Sequence, residues 1–433
     1  MIGEVLSEIA ARSVVAVRPL LGFVRPDLGR TILRRLDAAR SLSAGLAEGE
    51  GTVVWVHGAS AGELLAVAPI VRALRRGASV RIAVTHFSPS GGTAAGHLEP
   101  EWSGLPPPDT GAACDAALAA ARPGLLIYSK GDVWPWLTAA AARAGVPTAL
   151  VNGVVRPGSR KLRPASRIVF RDTYARLDLV AAATAEDADR LRSLGARPEV
   201  TRVTGDAAFD VALERADRAR TPGGARGELE TSLPAKPEAG VRLVAGSTWG
   251  PDETALLDAL AALDQGSRFR VQLVLVPHQP SEARVAGLIG LCRGRREPVE
   301  RWSRLRDPHD LPGHGIVIFD EMGLLAELYT AGDIGYVGGG LGGSGLHNVL
   351  EPAAAGLPVL FGPRHDRREA VELEHAGGGR TCAGDVLAAD VEALLDDGRR
   401  ARMGADARAY VERRSGATAV TAPLLLELMG AGS

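Results

Sequence analysis

The stretch "HGASAGE" sets His57, Ser60 and Glu63 directly behind the apolar run "VVWV". A carboxylate at the opening of a helix can act as a general base towards a bound hydroxyl. The same position suits a glutamate that caps the helix and answers its dipole, and the spacing alone leaves both readings open. Small residues, Ser60 and Gly62 among them, let a substrate approach the backbone, and amides at a helix N-terminus attract anions. In "SKGDVWPW", Lys130 and Asp132 share the loop behind "GLLIY" with Trp134. Facing the same cleft as Glu63, they could bind an anionic sugar and tune the base; a plain surface turn ahead of Pro135 is the alternative. "HFSPSGG", with Ser90, and "VNGVVRPGSR", with Asn152, Arg156, Ser159 and Arg160, are two more polar loops behind strands. Guanidinium forks there could grip phosphates.

The second half offers nucleotide chemistry. "VAGSTWGPDE" places Ser247 and Thr248 between a strand and a helix, where either could cap the helix or bind a phosphate. "LVLVPHQPSEA" ends a strand on Pro277 and His278, and Met322 and Gly323 at a helix start could pack against a base. In "GGGLGGSGLHNVLEP", the amides around Gly339 and Gly340, the helix start near His347 and Asn348, and Glu351 suit a phosphate and a ribose diol. No GxGxxG with a downstream ribose acid opens either half, and no GK[ST] completes a Walker loop. No HExxH or well-placed DxD supports a metal site, and no GxSxG elbow supports a serine hydrolase.

These loops need strands and helices to hold them. Buried-strand runs alternate with helical patterns in both halves, the signature of parallel α/β sheets. At 433 residues the chain is long enough for two domains. The chain reads as a membrane-associating segment over 1–40, an α/β domain over 41–218, a linker over 219–240 and a second α/β domain over 241–433, its last helix able to pack back on the first domain. Two doubly wound Rossmann-like domains would face a cleft, with ligands at the carboxyl ends of the strands. Net charge is −1, which argues against a general nucleic-acid binder. Three cysteines without a CxxC exclude a disulfide framework and a cysteine zinc cluster. Residues 9–40 set seven arginines among apolar residues but hold no uninterrupted apolar run of membrane-spanning length, which suits a segment lying on an anionic membrane surface.

Taken together, the motifs resemble those of the 3-deoxy-D-manno-octulosonic acid (Kdo) transferases of lipopolysaccharide synthesis. "WVHGASAGE" is similar to the family's W-V-H-x-x-S-x-G-E, and "SKGDVWPW", "VNGVVRPGSR", "VTGDAAFD", "GSTWGPDE" and the block from Met322 to Pro363 follow in family order. The resemblance implies a GT-B fold and metal-independent, inverting transfer of Kdo from CMP-Kdo to a lipid A precursor, with no cofactor. It places Glu63 as the base, with Lys130 and Asp132 beside it. Ser247, Thr248, His278, Met322, Gly323, Gly339, Gly340, His347, Asn348 and Glu351 would lie at the donor; Ser60, Gly62, Ser90, Asn152, Arg156, Ser159 and Arg160 would lie at the acceptor. It implies a peripheral or monotopic enzyme on the cytoplasmic face of the bacterial inner membrane. The chain departs from the family pattern at Pro277-His278-Gln279 (P-R-H in many members), Asp132 (commonly Glu) and Ala208 (commonly Lys). Competing readings are a GT-B transferase or epimerase using a UDP-sugar, and a non-catalytic sugar- or lipid-binding paralogue.

Overall fold

In this computed structural model the described residues are 26–430, apart from 308, 366 and 383–385, with side chains from Thr31 onward. The first 25 residues of the expected membrane-associating segment lie outside them. The chain divides into two compact units: residues up to Val211 together with those from Ser415 on, and Ala212–Arg414.

The first unit is a seven-stranded parallel sheet of β1 (Thr52–His57), β2 (Val80–Thr85), β3 (Trp102–Gly104), β4 (Leu125–Ser129), β5 (Thr148–Gly153), β6 (Leu179–Ala182) and β7 (Thr201–Val203). They lie in the order β3-β2-β1-β4-β5-β6-β7. The strands are apolar on both faces because helices cover both: Trp55, Tyr128 and Leu150 enter one core, and Val54, Ile127 and Val151 the other. The helix Ala61–Gly77 lies on the second face, and the last helix, Ala417–Gly430, joins the same core through Leu425.

The second unit repeats the plan with β8 (Val241–Thr248), β9 (Val271–Pro277), β10 (Val299–Arg301), β11 (Ile316–Ile318), β12 (Ile334–Val337), β13 (Val359–Phe361) and β14 (Gly379–Thr381). Their order is β10-β11-β9-β8-β12-β13-β14. In each sheet the order reverses direction once, between β1 and β4 and between β8 and β12. Loops leaving neighbouring strands at such a point diverge to opposite faces and open a crevice for ligands.

The segment expected as a linker, 219–240, differs from that expectation. It holds a helix, Ala225–Ser232, and Leu229 and Leu233 are buried against Val244, Phe319 and Tyr329 of the second unit. Two leucines four residues apart make one helical face, and the surrounding Pro and Gly obscured it. The chain passes between units at Val211–Ala212, inside the helix Ala208–Ala219, and again at Arg414–Ser415. Asp210 accepts hydrogen bonds from the backbone N–H groups of Gly416 (2.6 Å) and Thr418 (2.7 Å), so the outgoing and returning chain are tied together within the first unit.

Candidate functional site

The first candidate site forms where β1 and β4 end. β1 delivers His57, fully buried. Its Nε2 lies 3.3 Å from Asp132 Oδ2, and its Nδ1 lies 2.9 Å from Thr85 Oγ1. An ionised aspartate only accepts, so Nε2 carries a proton, and Nδ1 meets the Thr85 hydroxyl. That hydroxyl in turn accepts from the Trp55 indole N–H at 3.0 Å. The Trp134 indole N–H donates to the same Asp132 oxygen at 3.0 Å. Burial pushes the Asp132 carboxyl up. The hydrogen bonds from His57 and Trp134, with the charges of His57 and Lys161, outweigh burial and hold it below the usual carboxylate range.

Glu63 opens the helix behind β1. Ser60 is the N-cap, and its backbone N–H donates to Glu63 Oε2 at 3.1 Å, so the glutamate does cap its helix. Capping leaves it half-buried, and burial pushes its carboxyl up; the Asp132 charge pushes the same way, against the Ser60 and Ala59 amides and His57. The two carboxyl groups are thus driven apart, Asp132 towards a fixed anion and Glu63 towards a group that takes and gives a proton. Such a split separates the roles of paired acids in active sites.

Lys130 pairs with another acid, Asp206. It sits at φ +66°, and its ammonium bonds Asp206 Oδ2 at 3.0 Å. The cation that acts on both acids is Lys161, which donates to the Gly131 carbonyl and stands 5.4 Å from the Phe170 ring centroid. It comes one residue after the stretch singled out in the sequence, and only its position next to Arg160 hinted at it. Arg35 was also missed. Its guanidinium lies 5.2 Å from the Phe87 ring and 5.1 Å from Trp134, and it donates to the Pro106 (3.1 Å) and Pro107 (2.8 Å) carbonyls, joining three loops.

The expected acceptor residues divide. Arg156 and Arg160 are exposed on the loop behind β5, where the Ser159 hydroxyl accepts from Lys161 N–H at 3.3 Å. Ser90, in the first turn of the helix Pro89–Ala95 behind β2, is paired with Ser88 at 3.1 Å. Gly62 is exposed, and nothing near it demands a glycine. Asn152 is a correction: it is 1% exposed at φ +53°, with its amide donating to the Ala66 carbonyl (3.1 Å) and accepting from Ala207 N–H (2.9 Å). A side chain buried in the core and bonded at both ends holds β5 to its neighbours and is turned away from the loop surface.

The second candidate site forms where β8 and β12 end. Thr248 is another correction. Its buried hydroxyl donates to Glu253 Oε1 at 3.0 Å and faces the core. Ser247, at φ +54°, remains at the strand end. Asp252 knits the two loops together: it accepts from the backbone N–H groups of Trp249 (2.9 Å) and Gly339 (2.9 Å) and from the Tyr336 hydroxyl (3.1 Å). Gly339 has φ +93°, and a Cβ there would fall on the Gly345 carbonyl, so the tight fold of this loop requires glycine. A Cβ on Gly340 would lie 2.6 Å from the Gly362 carbonyl oxygen, also too close to fit.

Trp249, His278 and His347 form a stack. The ring centroids of Trp249 and His278 are 5.0 Å apart, and those of His278 and His347 are 4.4 Å apart. The Trp249 indole N–H donates to His347 Nε2 at 3.1 Å. Burial, with His278 and Arg367 nearby, pushes His347 down to about 4. The ring is therefore neutral at pH 7, with its proton on Nδ1. Asn348 Oδ1 accepts from Leu350 N–H at 3.1 Å, at the start of the short helix that carries Glu351. Glu351 is pushed up by burial and opposed by Arg215, whose Nη1 is 3.7 Å away. Met322 is 70% exposed beside Gly323, which has φ +93°.

The family model described as 3-deoxy-D-manno-octulosonic-acid transferase (kdotransferase) matches residues 31–211. A 3-deoxy-D-manno-octulosonic acid transferase of Bordetella pertussis is 32% identical over 406 residues, covering 87% of each chain. That of Haemophilus influenzae is 26% identical, covering 81% of each. Among solved structures, a UDP-GlcNAc 2-epimerase from Neisseria meningitidis aligns with a TM-score of 0.61 at 14% identity, covering 87% of this chain and 100% of that one, a likeness of fold alone. With two doubly wound α/β units of the GT-B type, polar loops at both switch points and a close relative along nearly its whole length, the chain belongs to the family of 3-deoxy-D-manno-octulosonic acid transferases.

Proposed function

We propose that this protein transfers Kdo from CMP-Kdo to a lipid A precursor, with inversion and without a metal or cofactor. The opposed tuning of Glu63 and Asp132 at the β1/β4 switch point carries the reading. An acceptor hydroxyl held on the first unit gives its proton to Glu63. Its oxygen bonds the anomeric carbon of Kdo from the face opposite CMP, the bond from that carbon to the phosphate oxygen breaks, and CMP leaves with the electron pair. Asp132 stays ionised and, through His57 and Trp134, fixes the walls around the base. Ser60, Arg156, Ser159 and Arg160 are placed to meet acceptor phosphates and hydroxyls. On the second unit, the Gly340 amide and Asn348 face the donor phosphate, with Gly339 shaping the loop, Glu351 faces the ribose, and Met322 with the histidine–tryptophan stack faces the planar base.

Among the described residues no group of three or more His, Cys, Asp and Glu side chains is placed to hold an ion. Among those residues no helix is long and apolar enough to cross a membrane. Leu33 and Leu36 are about half exposed on an Arg-bearing helix, which supports a peripheral seat on the cytoplasmic face of the inner membrane. Mass spectrometry of a lipid A precursor incubated with CMP-Kdo and the protein, with and without EDTA, tests this directly. Gain of one or more Kdo masses, unchanged by EDTA, is expected; turnover of UDP-sugars only would overturn it.

A further inference from the structure

Arg215 lies on the helix Ala208–Ala219, more than a hundred residues ahead of the groups it touches. Its Nε donates to Glu327 Oε1 at 2.9 Å and its Nη2 to Glu327 Oε2 at 2.7 Å, a two-pronged fork. Nη2 also donates to the Gly323 carbonyl at 3.0 Å. Nη1 stands 3.7 Å from Glu351 Oε1. One guanidinium therefore reaches the Met322–Gly323 turn, the helix Leu325–Tyr329 through Glu327, and the helix Leu350–Ala354 through Glu351. We propose that Arg215 is a positioning residue for donor binding, fixing the base-facing Met322–Gly323 turn and the ribose-facing Glu351 relative to one another.

The physical argument is one of geometry and charge. The Gly323 backbone adopts φ +93°, and the Arg215 bond holds its carbonyl in that conformation. Glu327 and Glu351 are two acids on adjacent short helices, with side chains 18% and 19% exposed. Without a cation between them, one would be driven to take a proton, and a neutral Glu351 would be a poorer acceptor for two ribose hydroxyls. Lysine can supply the charge but not the planar fork that reaches all three partners at once. The proposal rests on the donor reading of the β8/β12 loops given above.

The test is calorimetric titration of CMP into the full-length wild-type protein and the Arg215→Met, Arg215→Lys, Glu351→Gln and Arg215→Met/Glu351→Gln variants, together with donor KM and kcat. Losing the charge-assisted bonds is expected to weaken CMP binding by about 10- to 100-fold in Arg215→Met. Donor KM should rise by a similar factor while kcat changes by less than about threefold, the signature of lost ground-state binding. Arg215→Lys should recover part of the loss. In the Glu351→Gln background, Arg215→Met should cost far less than it does alone, because the two act as a unit. Fully additive losses, or wild-type CMP affinity in a folded Arg215→Met, would overturn the role. If Arg215→Met does not fold, wild-type affinity in Arg215→Lys overturns it equally. CMP binding weakened by Glu351→Gln but not by Arg215→Met sinks the Arg215 role alone; no CMP binding by the wild type sinks the donor reading and this proposal with it.

Discussion

Glu63 both caps a helix and stands as the proposed base, and Glu63→Gln separates the two roles. Gln is isosteric and can still accept the Ser60 N–H bond seen at 3.1 Å, so the helix start is kept. It cannot take the acceptor proton. Removing a general base costs roughly 10²- to 10⁴-fold in rate, or about 2.7–5.4 kcal/mol of barrier at about 1.36 kcal/mol per tenfold. Stability should move the other way. Burial raises the Glu63 carboxyl in the folded chain, so the folded state holds that proton more tightly than the unfolded state. The stability linked to this proton is fully present below the unfolded carboxyl value and is lost as pH rises through the folded one. A neutral Gln escapes that loss, so at neutral pH Glu63→Gln should melt at or above the wild-type temperature. Glu63→Ala should lose the cap as well, about 0.5–2 kcal/mol, at roughly 2–4 °C per kcal/mol for a unit of this size. Single-turnover transfer from CMP-Kdo and thermal melts of the three proteins measure both effects. A Glu63→Gln enzyme within tenfold of wild type would remove Glu63 as the base; one that melts as low as Glu63→Ala would show that the carboxylate itself makes the cap.

Further tests address the same two sites. The acid limb of kcat/KM should lie above the ordinary carboxyl range, since Glu63 must be ionised to act; Asp132→Asn removes a like charge and should move that limb to lower pH, and a limb that stays put would detach Asp132 from Glu63. Gly339→Ala forces a side chain into φ +93° and onto the Gly345 carbonyl, so it should cost at least about 1 kcal/mol in a thermal melt and weaken CMP binding in calorimetry. Trp249→Phe keeps a ring in the stack but frees His347; one lost hydrogen bond predicts roughly a 2- to 10-fold weaker CMP affinity, and no change would make the Trp249–His347 bond incidental. Leu33→Ser/Leu36→Ser should reduce co-sedimentation with anionic liposomes, and unchanged binding would rule out this helix as the membrane-facing element.

Much of the fold could be read from the chain. Apolar runs such as "VVWV" and "LVLV" alternate with helical periods, and a strand buried on both faces has to look that way. Loops behind those strands carry most of the chemistry, so Glu63, Asp132, His347 and Glu351 could be picked out before their positions were known. Composition misled where a helix was hidden among Pro and Gly, as at Leu229 and Leu233, which turned a supposed linker into part of the second core.

Residue type and loop position determined which groups could do chemistry; only the tertiary structure decided which of them share a site. Asn152 and Thr248 were expected in loops but lie in the last residues of β5 and β8, and both turn inward to partners distant or local, Ala207 for one and Glu253 for the other. Lys130 pairs with Asp206, a partner 76 residues away, and Lys161, outside the quoted loops, adds its charge to both acids. The tuning of Glu63 and Asp132 in opposite directions depends on burial and on His57 and Trp134 converging from separate strand ends. Arg215 lies outside every motif, because its partners are far away in sequence and its position is set by packing alone. Local patterning records what each segment can become; charge and hydrogen-bond partnership arise when distant segments meet, and no local signal carries them.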